Sequence, residues 1–218
     1  MIKNLLAAIG VIAIVAGGYL YSKVGPMMEL MPLMSSPGLQ PILKVARDNP
    51  EALKAAGSNL NDGAAETAAD MFKLWIESKG EIATASTWAK KVEEGLSADE
   101  VLDALASVAA EMNIKAVGDL PLSKELEARG IKTGYLRVLS YCNPETARKM
   151  IDFAAPMAAY LPCRITLVEK DDGLWLYTLN MDMMIKMGKK MPPELLEETT
   201  RVRDTLWAML ERGAAGEF

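Results

Sequence analysis

Residues 135–179 read YLRVLSYCNPETARKMIDFAAPMAAYLPCRITLVEKDDGLWLYTL, and this stretch decides the fold. Tyr135 to Tyr141 has the apolar composition of a buried strand, and Cys163 to Glu169 and Leu174 to Leu179 predict two more strands. Asp171-Asp172-Gly173 is typical of a tight hairpin turn, so the last two strands pair antiparallel. The stretch therefore predicts a sheet that continues beyond it in both directions.

The flanking sequence supplies the remaining elements of one domain, residues 84–212, followed by a tail at 213–218. Helices are indicated by a capping box at Ser97-Ala98-Asp99-Glu100, by an N-cap and first-turn proline at Asn143-Pro144, and by Pro193. Further strands are predicted at Thr84 to Val92 and Ile114 to Val117, with a loop or short helix at Ser123 to Arg129. The predicted order is strand–helix–strand–strand–helix–strand–strand–helix. This order indicates an α+β fold, with a small mixed sheet covered by helices.

The composition excludes several classes of function. The chain has 218 residues, a formal net charge of −5 and no histidine. An acidic chain lacks the basic face that nucleic-acid binding needs, so no nucleic-acid partner is expected. Without histidine, a Ser-His-Asp triad and a histidine-ligated zinc are impossible, and two cysteines are too few for a four-thiolate metal site. We predict no cofactor and no catalytic residue, and these exclusions favour a protein that is not an enzyme.

The amino-terminal segment, residues 1–24, is predicted to be a transmembrane anchor. Leu5 to Tyr21 carries no charge and is bracketed by Lys3 and Lys23, and a helix between these lysines spans roughly 30 Å, the thickness of the hydrocarbon core. The α-amine and Lys3 favour an amino terminus inside the bacterial cytoplasmic membrane, which puts the following domain on the extracytoplasmic side. A cleaved signal peptide is the alternative. Ala13 and Gly17 form a small-xxx-small pair that lets another helix approach closely.

Residues 25–83 form a connector rich in methionine and proline, followed by short helices. Its methionines are interface candidates, because thioether side chains adapt to irregular surfaces. The M-x-x-M-x-x-M spacing also makes three of them weaker Cu(I) candidates. The interface candidates are Met27, Met28, Met31 and Met34, of which the last three carry the copper spacing.

Three helices are predicted behind the connector, at Pro41 to Asp48, Glu51 to Ala56 and Ala64 to Lys79. The third carries one apolar face, which must dock either on the following domain or on another subunit. That face consists of Ala65, Ala68, Phe72, Trp75 and Ile76.

The carboxy-terminal part resembles the bacterial family called domain of unknown function 302. The resemblance rests on Tyr141-Cys142-Asn143-Pro144 after a strand and Leu161-Pro162-Cys163-Arg164 opening the next. It covers about residues 84–210 and departs from the family near Asp119, where many members carry an acidic residue followed by a helix. The resemblance implies a compact α+β fold that often self-associates, and it implies no reaction.

The candidate ligand or redox residues are Cys142, Asn143, Cys163 and Arg164. A strand–helix–strand connection normally makes its two strands parallel, which would place the cysteines at opposite ends of the sheet, roughly 20 Å apart. A disulfide would then be out of reach, although the stretch Ala154 to Leu161 is long enough to change this geometry. Cys142 next to a helix N-terminus and Arg164 next to Cys163 are features that could lower a thiol pKa. Asn143 is otherwise a helix cap.

Two functional hypotheses follow from the sequence. The first is a membrane-anchored, non-catalytic binding or accessory protein, whose partners are the membrane and either further copies of itself or a membrane-protein complex. The second is a thiol-based redox or sulfur-transfer protein that uses Cys142 and Cys163. A segment from Met181 to Met191, rich in methionine and lysine, could additionally lie against headgroups or a partner, or form a short amphipathic helix.

Overall fold

The structure is a computed structural model that describes Ser35, Pro37 and residues 40–218. The chain divides after Ser58 into two compact units. In the first unit, helices α1 (Gln40–Asp48) and α2 (Pro50–Ser58) follow one another. Both are within two residues of the bounds expected from the sequence.

The second unit is built on a five-stranded sheet. Its strands are β1 (Thr87–Lys91), β2 (Lys115–Leu120), β3 (Leu136–Cys142), β4 (Cys163–Lys170) and β5 (Gly173–Leu179). The strand order is β1-β5-β4-β3-β2, and every neighbouring pair is antiparallel. The α+β class is confirmed, but the prediction of mixed pairing is wrong. The connection from β3 to β4 contains a second helical segment, which returns the chain to the end of the sheet from which it left.

Helices precede, separate and follow these strands. They are α3 (Ala64–Glu77), α4 (Ile82–Ser86), α5 (Ala98–Glu111), α6 (Leu122–Ala128), α7 (Pro144–Phe153), a 3₁₀ helix (Ala155–Tyr160), α8 (Met181–Lys186) and α9 (Pro193–Ala215). The predicted start of the first strand at Thr84 is wrong, because the chain is still helical there. The hydroxyls of Ser86 and Thr87 donate to the carbonyls of Ile82 and Ala83, and so close the last turn of α4.

Local capping interactions fix where several helices begin. Ser97 and Glu100 form a capping box at α5, in which the Glu100 amide donates to Ser97 Oγ and the Ser97 amide donates to the Glu100 carboxylate. Asn143 accepts a hydrogen bond from the Thr146 amide at 3.1 Å and caps α7. These bonds satisfy N–H groups that have no partner within the first turn of a helix.

The hydrophobic core lies between the sheet and the two long helices α5 and α9. Apolar side chains at helical spacing on α5 and α9 meet alternate residues of the central strands, and the largest of them are fully buried. These residues are Leu105, Val101, Val108, Leu206, Met209 and Leu210 from the helices, and Ile165, Leu167 and Leu176 from the strands. This core fixes the ends of β3 and β4, where the candidate site is found.

The predictions for the amino-terminal region lie outside the described residues. These are the anchor at 1–24 with Ala13 and Gly17, and the connector methionines Met27, Met28, Met31 and Met34. Within Ser35, Pro37 and 40–218, no helix is both long enough and apolar enough to cross a membrane.

Candidate functional site

The antiparallel pairing of β3 with β4 brings the two cysteines to the same end of the sheet. Tyr141 lies opposite Cys163, and Cys142 is the next residue along β3. From a strand spacing of about 4.8 Å and a rise of about 3.4 Å per residue, the two cysteine Cα atoms lie about 6 Å apart. The expectation of about 20 Å is therefore wrong, because it assumed parallel strands. Both thiols are free.

Cys142 and Cys163 line one small cavity of about 50 Å³. Six of its thirteen lining residues carry sulfur, and most of the others are apolar. The six are Cys142, Cys163, Met150, Met157, Met181 and Met184. The methionines come from α7, the 3₁₀ helix and α8, so three separate segments of the chain line the cavity together with the cysteines.

Caps and buried contacts hold the walls of this cavity in place. Asn143 caps α7, and Asn180 caps α8 by accepting from the Met183 amide at 3.3 Å. Met181 and Met150 are buried, at 6% and 8% exposure, in two neighbouring clusters of the core. Two of the four methionines that line the cavity are therefore packed into the core.

The surroundings disfavour a charged thiol. Burial, and to a smaller extent the nearby Cys142, raise the pKa of the Cys163 thiol to about 11, against smaller lowering effects of a backbone hydrogen bond and of Arg164. Burial also raises the pKa of the Cys142 thiol. Both groups are therefore protonated at neutral pH, although the sequence features around them could have lowered their pKa values.

The other two predicted site residues take different places. Asn143 lines the cavity, and its side-chain oxygen is engaged as the helix cap. Arg164 is exposed and lines a neighbouring cavity of about 220 Å³ together with Cys163, Met181 and Met184. The three sulfur residues thus form the partition between two cavities.

Sequence reasoning missed Met150 and Met157 as partners of the cysteines. Met150 lies on the buried face of α7. Its helical spacing could have indicated that it is buried, but not that it lines a cavity with the cysteines. Met157 lies in the 3₁₀ helix, which carries no sequence signal for this contact. Within residues 40–218, no cluster of three or more histidine, cysteine, aspartate or glutamate residues could hold a metal ion.

Asp119, the acidic residue near which the chain departs from the family pattern, is engaged in an ion pair. Its two carboxylate oxygens accept from Arg137 Nε at 2.8 Å and Nη2 at 2.5 Å, across the β2–β3 pair. The hydrogen bonds from Arg137 lower the pKa of the Asp119 carboxyl. Asp119 is therefore ionised at neutral pH and is a poor proton donor.

A second feature is an exposed apolar surface on α3, formed by Phe72, Trp75 and Ile76 and here called the α3 patch. These side chains are 53%, 41% and 56% exposed, and the rings of Phe72 and Trp75 stack with centroids 5.8 Å apart. The side of α3 that packs inward carries Ala64 and Thr67 instead. The apolar face predicted for this helix is thus turned away from the core of its own unit.

Comparisons with known proteins bear on the part of the chain that holds the cysteine site. The profile of the family described as "Domain of unknown function DUF302" matches residues 88–213. This match confirms the resemblance inferred from the two cysteine motifs. None of the curated proteins matches the chain significantly. Among solved structures, it is similar to the "Crystal structure of uncharacterized conserved protein DUF302 from Bacillus stearothermophilus", with 18% sequence identity and a TM-score of 0.48, over 58% of this chain and 96% of that chain.

Proposed function

The chain belongs to the DUF302 family, whose description assigns no reaction, and we propose that the protein is a membrane-anchored, non-catalytic accessory protein. In this proposal an amino-terminal helix holds the chain in the bacterial cytoplasmic membrane, with the domain on the extracytoplasmic side. The domain acts by binding through the α3 patch.

The observation that carries the proposal is the exposure of Phe72, Trp75 and Ile76. Large aromatic side chains are enriched at protein interfaces, where they supply much of the binding free energy. A stacked aromatic pair that is open to solvent gains from being covered, because burial removes its apolar surface from water. Such a patch is what an accessory protein needs in order to dock.

We propose a second copy of the chain as the partner of this patch. Lys73 and Glu77 lie beside the aromatic residues on α3 and form an ion pair at 3.9 Å, so both signs of charge rim the patch. A surface that carries both signs can pair with itself about a two-fold axis. Two chains anchored in one membrane also meet at a high effective concentration, so a small patch suffices.

Sedimentation of the full-length chain in mild detergent tests this association. We expect the wild type to self-associate, and we expect the double variant Phe72→Ser/Trp75→Ser to associate at least about tenfold more weakly. Phe218→Ser is the matched control, because Phe218 is an aromatic residue with 69% exposure elsewhere in the same unit. A monomeric wild type, or equal association of wild type and double variant, contradicts the proposal.

The predicted topology has its own test. Protease added to intact spheroplasts should degrade the domain if it lies outside the cytoplasmic membrane. Survival of the domain until the membrane is lysed would reverse the orientation. That result would not bear on the association through the α3 patch, which sedimentation tests separately.

The adjacency of Cys142 and Cys163 supports a second candidate function, a thiol–disulfide exchange protein. Oxidation of the two thiols to a disulfide would pass two electrons and two protons to the disulfide of a partner protein. The raised thiol pKa values weigh against this candidate, because the thiolate is the attacking species. Mass spectrometry of the alkylated native protein tests it. Two unreactive sulfurs, free or bridged, would leave it without a mechanism.

A further inference from the structure

The cavity at the ends of β3 and β4 combines features that point to a ligand. Its sulfur atoms come from residues that are far apart in the sequence, on β3, β4, α7, the 3₁₀ helix and α8. We propose that this cavity is a binding site for the soft monovalent cation Cu(I), coordinated by the thiolates of Cys142 and Cys163 and the thioethers of Met181 and Met184. The proposal is independent of the association through the α3 patch.

The donor set decides which metal the site favours. Thiolate and thioether sulfur are soft ligands that select Cu(I), whereas carboxylates, carbonyls and water suit magnesium, calcium and manganese. The residues that line the cavity include no carboxylate and no imidazole. Its polar side chains are Asn143, engaged as a helix cap, and Thr146 and Thr199. Hard cations therefore lack ligands here.

The size of the cavity also favours an ion. Pockets for organic cofactors and drug-sized ligands measure about 300–1,000 Å³, whereas this cavity measures about 50 Å³. A single metal ion needs no larger space, because the residues of the cavity wall are themselves its ligands. A lipid or a nucleotide would not fit without repacking the core.

Access to the sulfur atoms comes from the neighbouring cavity. Cys163, Met181 and Met184 line both cavities, and the neighbouring one, of about 220 Å³, is bordered by the exposed Tyr160 and Arg164. An ion in the neighbouring cavity thus lies beside one cysteine and two methionines of the proposed site. Flexible methionine side chains can move aside to admit it.

Charge and proton balance are consistent with this coordination. Each cysteine that binds Cu(I) exchanges its thiol proton for the metal, and the protons leave to solvent while copper keeps its +1 charge. Two thiolates and one Cu(I) leave a net charge of −1 at the site. Arg164 lies close enough to Cys163 for its positive charge to lower the pKa of the thiol. The same positive charge offsets the net charge of −1 at the site.

The test uses the full-length chain in detergent, without oxygen and with a reductant that carries no thiol, titrated with Cu(I) against a chromogenic Cu(I) chelator. We expect one Cu(I) per chain at this site in the wild type and an X-ray absorption spectrum that shows only sulfur neighbours. Cys142→Ser/Cys163→Ser should lower the affinity by on the order of 100-fold or more, because even outer-shell changes cost about 10–100-fold. Met181→Leu/Met184→Leu keeps the side-chain volume and should weaken binding while the fold is maintained.

A connector variant, Met28→Leu/Met31→Leu/Met34→Leu, is the matched control. It removes the methionine spacing that the sequence offers as a second copper candidate and substitutes none of the residues that line the cavity. Retained high-affinity binding in this variant, together with loss in both cavity variants, supports the proposal. Loss in the connector variant alone, binding that survives both cavity variants, or oxygen neighbours in the wild-type spectrum overturns it. Association of the chain should be the same with and without Cu(I), so a failure here is distinct from a failure at the α3 patch.

Discussion

Gly213 on α9 lies so close to Leu105 on α5 that a methyl group added at Gly213 would stand 2.7 Å from Leu105 Cδ2. Leu105 is fully buried, so its side chain can move away only by displacing neighbouring side chains of the core. The close approach of the two long helices therefore depends on glycine at position 213, and these helices cover the sheet that carries the cysteine site.

Gly213→Ala should destabilise the domain. Alanine favours a helix over glycine by up to about 1 kcal/mol, but overpacking a tight core costs about 1–3 kcal/mol, so we expect a net loss on the order of 1 kcal/mol. Denaturant unfolding followed by circular dichroism measures it. Gly57→Ala on α2 is the matched control, because no atom lies within 4 Å of its added methyl group. A Gly213→Ala protein as stable as the wild type contradicts the packing argument.

Asn61→Ala should loosen the attachment of the segment before α3. The buried Asn61 side chain donates to the Ile185 carbonyl at 2.7 Å and accepts from the Met191 amide at 3.2 Å. Its removal leaves both backbone groups without these partners, at a cost of about 1–3 kcal/mol. We expect lower stability and faster hydrogen exchange of the Met191 amide.

The control for this change is Asn49→Ala, since the Asn49 side chain makes an exposed hydrogen bond to the Val45 carbonyl. That variant should change stability by less than about 0.5 kcal/mol. Equal effects of the two substitutions would show that burial of Asn61 contributes nothing.

Asn143→Ala distinguishes a helix cap from a ligand. As the cap of α7, Asn143 should lose about 1 kcal/mol of stability on truncation to alanine, and Asn143→Asp or Asn143→Ser should restore most of it. Thermal unfolding of the three variants measures this. If alanine leaves the melting temperature unchanged, the capping role assigned to Asn143 is wrong.

Asp119→Asn should remove a component of stability that depends on pH. The pKa of Asp119 is lowered by Arg137, so the ion pair stabilises the fold above the ordinary aspartate pKa. This contribution is lost as the pH falls through the lower folded-state pKa. The Asp119 side chain is 47% exposed, which limits the effect to about 0.2–1 kcal/mol.

Urea unfolding at pH 7 and at a pH below the folded-state pKa measures this effect. The difference between wild type and Asp119→Asn should shrink at the lower pH, because the wild-type carboxyl is then also neutral. Asp70→Asn, at an exposed site on α3, controls for the change in net charge. A difference that stays constant with pH rules out the ion pair as its cause.

The individual helices, the hairpin and the family could be predicted from the sequence because their signals are local. The Ser97/Glu100 capping box forms between residues three apart, and Asp171-Asp172 turns the chain between two strands that are adjacent in the sequence. Hydrogen bonds of this kind depend on neighbours along the chain. The apolar face of α3 could be predicted from its helical spacing, but the absence of a partner within its own unit could not.

The sequence by itself determined that the chain forms an α+β domain with cysteines at the end of one strand and the start of another. Only the tertiary structure decided that these strands are antiparallel neighbours, with Tyr141 opposite Cys163. It also decided that Met150, Met157, Met181 and Met184 line one cavity together with the two cysteines. The physical reason is that strand direction depends on the path of the whole connection, and a cavity wall depends on core packing among residues far apart in sequence. Neither leaves a pattern of residues along the chain.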